Sequence, residues 1–163
     1  MFAVKVILQD IKKLETEALI VGFYQDIRPL KGLAGELDWL LCGSLSDLIL
    51  NNKMNGSLGD VALLTSQGKV PATKIFLIGL GPKEEESLSS LRAAARIAAS
   101  SAVGAGVTSA AIEYFDPAGT PYDKVIAALG EGLSEGAKGN TLMVSLLAPD
   151  TAAYEKMSQL VKT

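Results

Sequence analysis

The feature that most constrains how this chain can fold is an alternation of short apolar, β-branched runs with longer segments whose apolar residues recur every three or four positions. Phe2 to Leu8 and Ala18 to Tyr24 read as two strands, separated by a charged turn or helical bend. Leu33, Leu37, Leu40, Leu41, Leu45, Leu48 and Ile49 fall at helical spacing and predict one amphipathic helix ending near Asn51-Asn52. Asp60 to Ser66 and Lys74 to Leu80 are further strands, joined through the turn residues Gln67-Gly68-Lys69-Val70-Pro71.

The second half keeps the alternation. Ser87 predicts a cap for an Ala-rich helix from Leu88 to about Val103, with Glu84, Glu85 and Glu86 solvated near its positive end. Gly104 and Gly106 close that helix and lead into a fifth strand, Val107 to Tyr114. Thr120-Pro121-Tyr122-Asp123 predicts a capped start for a helix with Tyr122, Val125, Ile126, Leu129 and Leu133 on one face, ended by Gly136 and Gly139. Thr141 to Leu147 is a sixth strand, and Asp150 predicts a cap for a last helix through Tyr154, Met157 and Val161. Strands that alternate with helices in this way predict an α/β fold: a three-layer α/β/α domain on a mixed sheet of about six strands. Its predicted core holds Val4, Val6, Ile20, Leu37, Leu41, Leu63, Ile75, Leu77, Ile112, Ile126 and Val144.

Composition narrows the function classes. The 163 residues suit one domain, 1–163, and no linker, repeat or low-complexity tract divides them. An apolar fraction of 48% with 20% charged residues is that of a compact, ordered chain. The net charge is −3, and the 15 basic residues are scattered, with Lys12-Lys13 the only adjacent pair, so no nucleic-acid partner is expected. The longest uncharged stretch, Ile97 to Ile112, is glycine-interrupted and too short to span a membrane, and the N-terminus lacks a signal-peptide core; a cytoplasmic location is the expectation. No histidine occurs, which removes Ser-His-Asp and Cys-His machinery and His-containing zinc sites. Cys42 stands alone inside the predicted first helix and reads as an inert packed thiol, while Trp39 lies off the apolar stripe and reads as covering a loop or marking a partner surface. No catalytic residue, metal ligand or cofactor is expected.

An ordered run of motifs covers the first half: Leu8-Gln9-Asp10-Ile11, Glu17-Ala18-Leu19-Ile20-Val21-Gly22, Leu33-Ala34-Gly35-Glu36-Leu37-Asp38, Gly56-Ser57-Leu58-Gly59-Asp60 and Lys74-Ile75-Phe76-Leu77-Ile78-Gly79-Leu80-Gly81. Together they resemble the N-terminal, macro-like domain of the leucyl (cytosol) aminopeptidases, most closely from Glu17 to Gly81. In that family a larger metal-dependent catalytic domain follows, whose metals are bound by a lysine and carboxylates around an Asn-Thr-Asp-Ala-Glu-Gly-Arg-Leu motif. Nothing here matches that motif, so the resemblance carries over no catalytic residue. It implies a non-catalytic relative of the N-terminal domain serving in assembly or regulation, with a catalytic-domain chain or a second copy as partner. The N-terminal part of a split or truncated metallo-aminopeptidase is the alternative.

A second resemblance implies a second function. Gln9-Asp10-Ile11 followed by Glu17-Ala18-Leu19-Ile20-Val21 is similar to the Gly-Asp-Ile and Asp-Ala-Ile-Val elements of ADP-ribose-binding macro domains, in which the aspartate contacts adenine. By that likeness a nucleotide or ADP-ribose-type ligand would meet a crest of Asp10, the Gly32 to Gly35 loop and the Gly79 to Gly81 turn. The chain departs from the pattern in three places. Gly22-Phe23-Tyr24-Gln25 replaces an asparagine-rich segment, Gly32-Leu33-Ala34-Gly35 a triple-glycine loop, and Phe115-Asp116-Pro117-Ala118-Gly119 a glycine-bracketed phosphate loop. Asp116 has the wrong sign for a diphosphate. Phe23, Tyr24 and Phe115 are large enough to plug the cleft, and Asp10 also reads as a plain strand-end turn residue. Gly79-Leu80-Gly81 is better read as a tight turn.

Overall fold

The computed structural model describes residues 4–115, Pro117 and residues 119–161. Phe2, predicted to lie in the first strand, and Asp116, predicted to oppose a diphosphate, fall outside the described residues. The elements follow in the order β1 (Val4–Ile7), β2 (Ala18–Phe23), α1 (Gly32–Leu40), α2 (Ser44–Leu50), β3 (Val61–Thr65), β4 (Lys74–Gly79), a short 3-10 turn (Lys83–Glu85), α3 (Leu88–Gly104), β5 (Ser109–Glu113), α4 (Tyr122–Ala137), β6 (Met143–Leu147) and α5 (Thr151–Val161).

Six strands form one mixed sheet in the order β1-β6-β5-β2-β4-β3, parallel except for β3, which runs antiparallel to β4 at one edge. Side chains alternate across the pleat, so neighbouring residues of β2 serve different cores. Ile20 packs with Phe76, Ile112 and Leu146 beneath α3, α4 and α5. Leu19 and Val21 pack with Ile75 and Leu77 beneath α1 and α2. A strand buried on both faces must read as an unbroken apolar run, and β2 does. The three-layer mixed α/β sandwich is thus the one the alternation predicts.

The Ala-rich composition of α3 has a packing cause. A Cβ on Gly132 of α4 would lie 2.2 Å from the carbonyl oxygen of Arg92, and one on Gly136 would lie 2.1 Å from that of Arg96. The two helices therefore touch backbone to backbone, over a seam of Ala95 and Ala99 on the α3 side. Gly136 is accordingly a packing residue inside α4, not a terminator; the helix ends at Ala137 with Lys138 left-handed (φ 50°). Ser87 caps α3 in a reciprocal pair with Ser90, and Asp150 accepts from the Ala153 N–H at 2.8 Å, as predicted. Thr120 does not cap α4: extended Pro121 holds the N-cap position and makes no side-chain cap bond.

The predicted long helix from Leu33 to Ile49 is two. Cys42 (φ 55°) and Gly43 (φ 87°) turn the chain, the Gly43 N–H donates to the Asp38 carbonyl at 2.8 Å, and the Asp38 carboxylate takes the Ser46 N–H at 2.9 Å. Leu37, Leu41 and Leu45 all stay buried across the break, so the apolar pattern ran on through it. Cys42 is consequently exposed rather than packed. Trp39, 82% exposed, covers no loop. Leu63, placed in the core by its strand, is 51% exposed, because β3 is an edge strand that α3 reaches only in part. Val4 and Ile126 are half-buried at the core margin. Glu86 is not solvated like Glu84 and Glu85: it turns inward, accepting from the Tyr24 hydroxyl and from Lys83 Nζ.

Candidate functional site

Parallel strands bring their carboxyl ends to one rim of the sheet, where a crevice opens between the loops that leave them. Here the loops after β1, β2, β5 and β6 surround a cavity of about 530 Å³. Leu8, Gln9, Asp10 and Ile11 form one wall, Leu33 and Glu36 of α1 the facing wall, and Leu147, Ala148 and Pro149 the side. A smaller cavity of about 240 Å³ adjoins it beneath the β2–α1 loop, sharing Gly32, Glu113, Tyr114 and Pro149.

Glu113, the last residue of β5, stands at the floor common to both. Its Oε1 accepts the Gly22 N–H at 3.1 Å and its Oε2 the Leu33 N–H at 3.4 Å. Leu33 is the second residue of α1, whose N-cap position, Lys31, offers no side-chain bond and whose first turn holds no acid. The carboxylate thus caps α1 from a distant strand and faces the positive end of its dipole. Gly32 (φ 61°) allows the approach, since a Cβ there would sit 3.0 Å from Glu113 Oε2. Burial pushes the Glu113 carboxyl up to about 7, against the pull of the two N–H donors. Sequence reasoning passed over this residue. Its signal was a single acid ending a short strand of small and apolar residues.

The predicted crest is partly assembled here. Asp10 and Gly32 line the larger cavity. Asp10 also serves its own turn, its Oδ1 accepting the Lys12 N–H at 3.0 Å and its carbonyl the N–H groups of Lys13 and Leu14. Gly35, Gly79 and Gly81 line neither cavity. A Cβ on Gly35 would meet the Leu30 carbonyl oxygen at 2.6 Å and one on Gly79 the Ser57 oxygen at 2.2 Å, so both are close-packing positions. Gly81 (φ 79°) makes a turn, receiving the Gln25 N–H and donating to Gly56. The three aromatics divide the cleft: Phe23, Tyr24 and Phe115 line only the smaller cavity, with Phe23 and Phe115 buried, and the larger one stays open. Among the described residues no three His, Cys, Asp or Glu side chains converge to hold a metal ion.

A three-layer α/β/α domain with a crevice at the parallel strand ends places the chain in the macrodomain fold class. It matches the Oceanobacillus iheyensis macrodomain with ADP at a TM-score of 0.76 and 15% identity, over 96% of this chain and 88% of that one. Tomato leucine aminopeptidase matches at a TM-score of 0.73 and 17% identity, over 98% of this chain and 35% of that one. The family is shown by sequence: the profile of the cytosol aminopeptidase family, N-terminal domain, matches residues 20–140, and the chain belongs to that family. A probable cytosol aminopeptidase of Geobacter sulfurreducens is 37% identical over 120 residues, which are 73% of this chain and 24% of that protein. The chain thus spans about a quarter of that relative's length. The 163 residues hold the family's N-terminal domain and not its catalytic domain. No described helix is long and apolar enough to cross a membrane.

Proposed function

We propose that this chain acts by binding rather than by chemistry, as an assembly or regulatory domain in the cytoplasm whose partner carries the catalytic part of a cytosol aminopeptidase. The observation that carries this reading is a family match confined to the N-terminal domain. An apolar edge supports it: Leu58, Val61 and Leu63 are exposed on and beside the edge strand β3, the kind of edge that proteins otherwise shield. The test mixes this chain with a cytosol aminopeptidase catalytic domain lacking its own N-terminal portion and measures mass by sedimentation velocity. A complex that Leu63→Lys abolishes supports the reading. Separate sedimentation of both proteins at high micromolar concentration overturns it. Leucyl-anilide hydrolysis appearing only in the mixture would favour the N-terminal half of a split enzyme.

A second reading, small-ligand binding in the cleft, is favoured by the open cavity of about 530 Å³. Small-molecule pockets commonly span about 300–1,000 Å³. The macrodomain of like fold was solved with ADP. For this chain the ligand class turns on what the cleft floor presents.

A further inference from the structure

A crevice at parallel strand ends ordinarily receives an anionic ligand group on the free N–H donors of the helix that opens there. In this cleft the Leu33 N–H of α1 and the Gly22 N–H of β2 already point at Glu113. The site therefore contains its own anion. Among the described residues no lysine or arginine lines the larger cavity, while Asp10 and Glu36 do. Of the two lysines beside the smaller cavity, Lys83 is engaged, with Nζ 3.0 Å from Glu86 Oε1 and 4.3 Å from the Tyr24 ring centre. The rest of the larger cavity is mainly apolar, with Leu8, Ile11, Leu147 and Pro149 prominent.

We propose that Glu113 sets the charge selectivity of the cleft: it occupies the backbone donors that a ligand's phosphate would need, so the cleft takes an organic ammonium with an apolar body and turns away a nucleoside diphosphate. The proposal rests on the ligand-binding reading above. An incoming phosphate meets like charge at the floor and finds both N–H groups taken. An ammonium meets a carboxylate poorly solvated by water, where a charged hydrogen bond is strongest. The raised carboxyl pKa adds a corollary: an ammonium stabilises the ionised form, so its affinity climbs as pH rises through 7. Among the described residues, the other charged groups around Glu113 are Asp10 after β1, Lys31 and Glu36 at α1, and Lys83 after β4.

The experiment titrates the full chain with isoamylammonium chloride and, separately, with ADP at pH 8.5, by calorimetry and by the amide resonances of Gly22 and Leu33. Wild type is expected to bind the ammonium, with both resonances shifting, and not ADP. Glu113→Gln should weaken the ammonium about tenfold or more and admit ADP, the scale of losing one charged hydrogen bond. Glu84→Gln, the same charge change at an exposed residue that lines neither cavity, should do neither. Wild type binding ADP as tightly as Glu113→Gln overturns the selectivity and leaves the ligand reading standing. Neither probe moving the two resonances in either protein overturns both. Should Glu113→Gln not fold, wild type decides alone: ammonium affinity must rise about tenfold or more between pH 5.5 and 8.5, and a flat profile overturns the proposal.

Discussion

Glu113 carries a stability consequence of definite sign. Its folded pKa, about 7, lies above the ordinary 4.5, so between those values the native state holds a proton that the unfolded chain has lost. Stability contributed by the protonated group is complete below the unfolded value and is lost as pH rises through 7. The full span amounts to about 3 kcal/mol at most. Urea unfolding at pH 5 and pH 8 should therefore show a loss in wild type that is reduced in Glu113→Gln, which cannot ionise. Equal losses in both proteins would deny the raised pKa. Leu77, fully buried in β4, tests the core at the same scale: Leu77→Ala should cost about 2–5 kcal/mol. An unchanged unfolding midpoint would contradict its place in the sheet.

Among the elements, α4 offers a paired test two residues apart. Gly132 meets the α3 backbone at 2.2 Å, and carbonyl oxygens there have nowhere to move. Gly132→Ala should therefore destabilise by about 1–3 kcal/mol despite the better helix propensity of alanine. Gly130 has nothing nearer than Val4 Cγ2 at 3.7 Å, so Gly130→Ala should stabilise by about 0.5–1 kcal/mol. Thermal unfolding of the two variants reads both signs, and matching signs would mean that the helices are not packed at that distance. The sequence showed α4 as one amphipathic segment but could not rank its glycines, since the distinction lies on a neighbouring helix. The break between α1 and α2 was obscured for a similar reason. Leu37, Leu41 and Leu45 keep helical spacing, and only the turn at Cys42 and Gly43 interrupts the backbone.

At the scale of the whole molecule, ADP-ribose should bind with a dissociation constant above about 100 μM, because micromolar affinity needs about 8 kcal/mol and one aspartate hydrogen bond supplies about 1.5–3. Among the described residues the larger cavity adds no basic side chain to hold the diphosphate, and Glu113 opposes it from the floor. Titration calorimetry settles the matter: micromolar binding that disappears in Asp10→Ala would place the nucleotide reading first. The candidate site was legible only in part. Asp10 and Gly32 were reached through motif likeness, and they do line the cavity. Glu113 acquires its meaning from Gly22 and Leu33, residues 91 and 80 positions away.

Periodicity and turn chemistry are local, and they determined what is local: six strands, the helical segments between them, the caps at Ser87 and Asp150, and with these the α/β class. Strand order is not local. Placing β6 between β1 and β5, and leaving β3 at the edge, follows from which apolar faces bury best against which helices. That choice exposed Leu63 and drew α3 onto the glycines of α4. It also set a half-buried carboxylate under the first turn of α1, because only the assembled sheet brings the ends of β2 and β5 together beneath that helix.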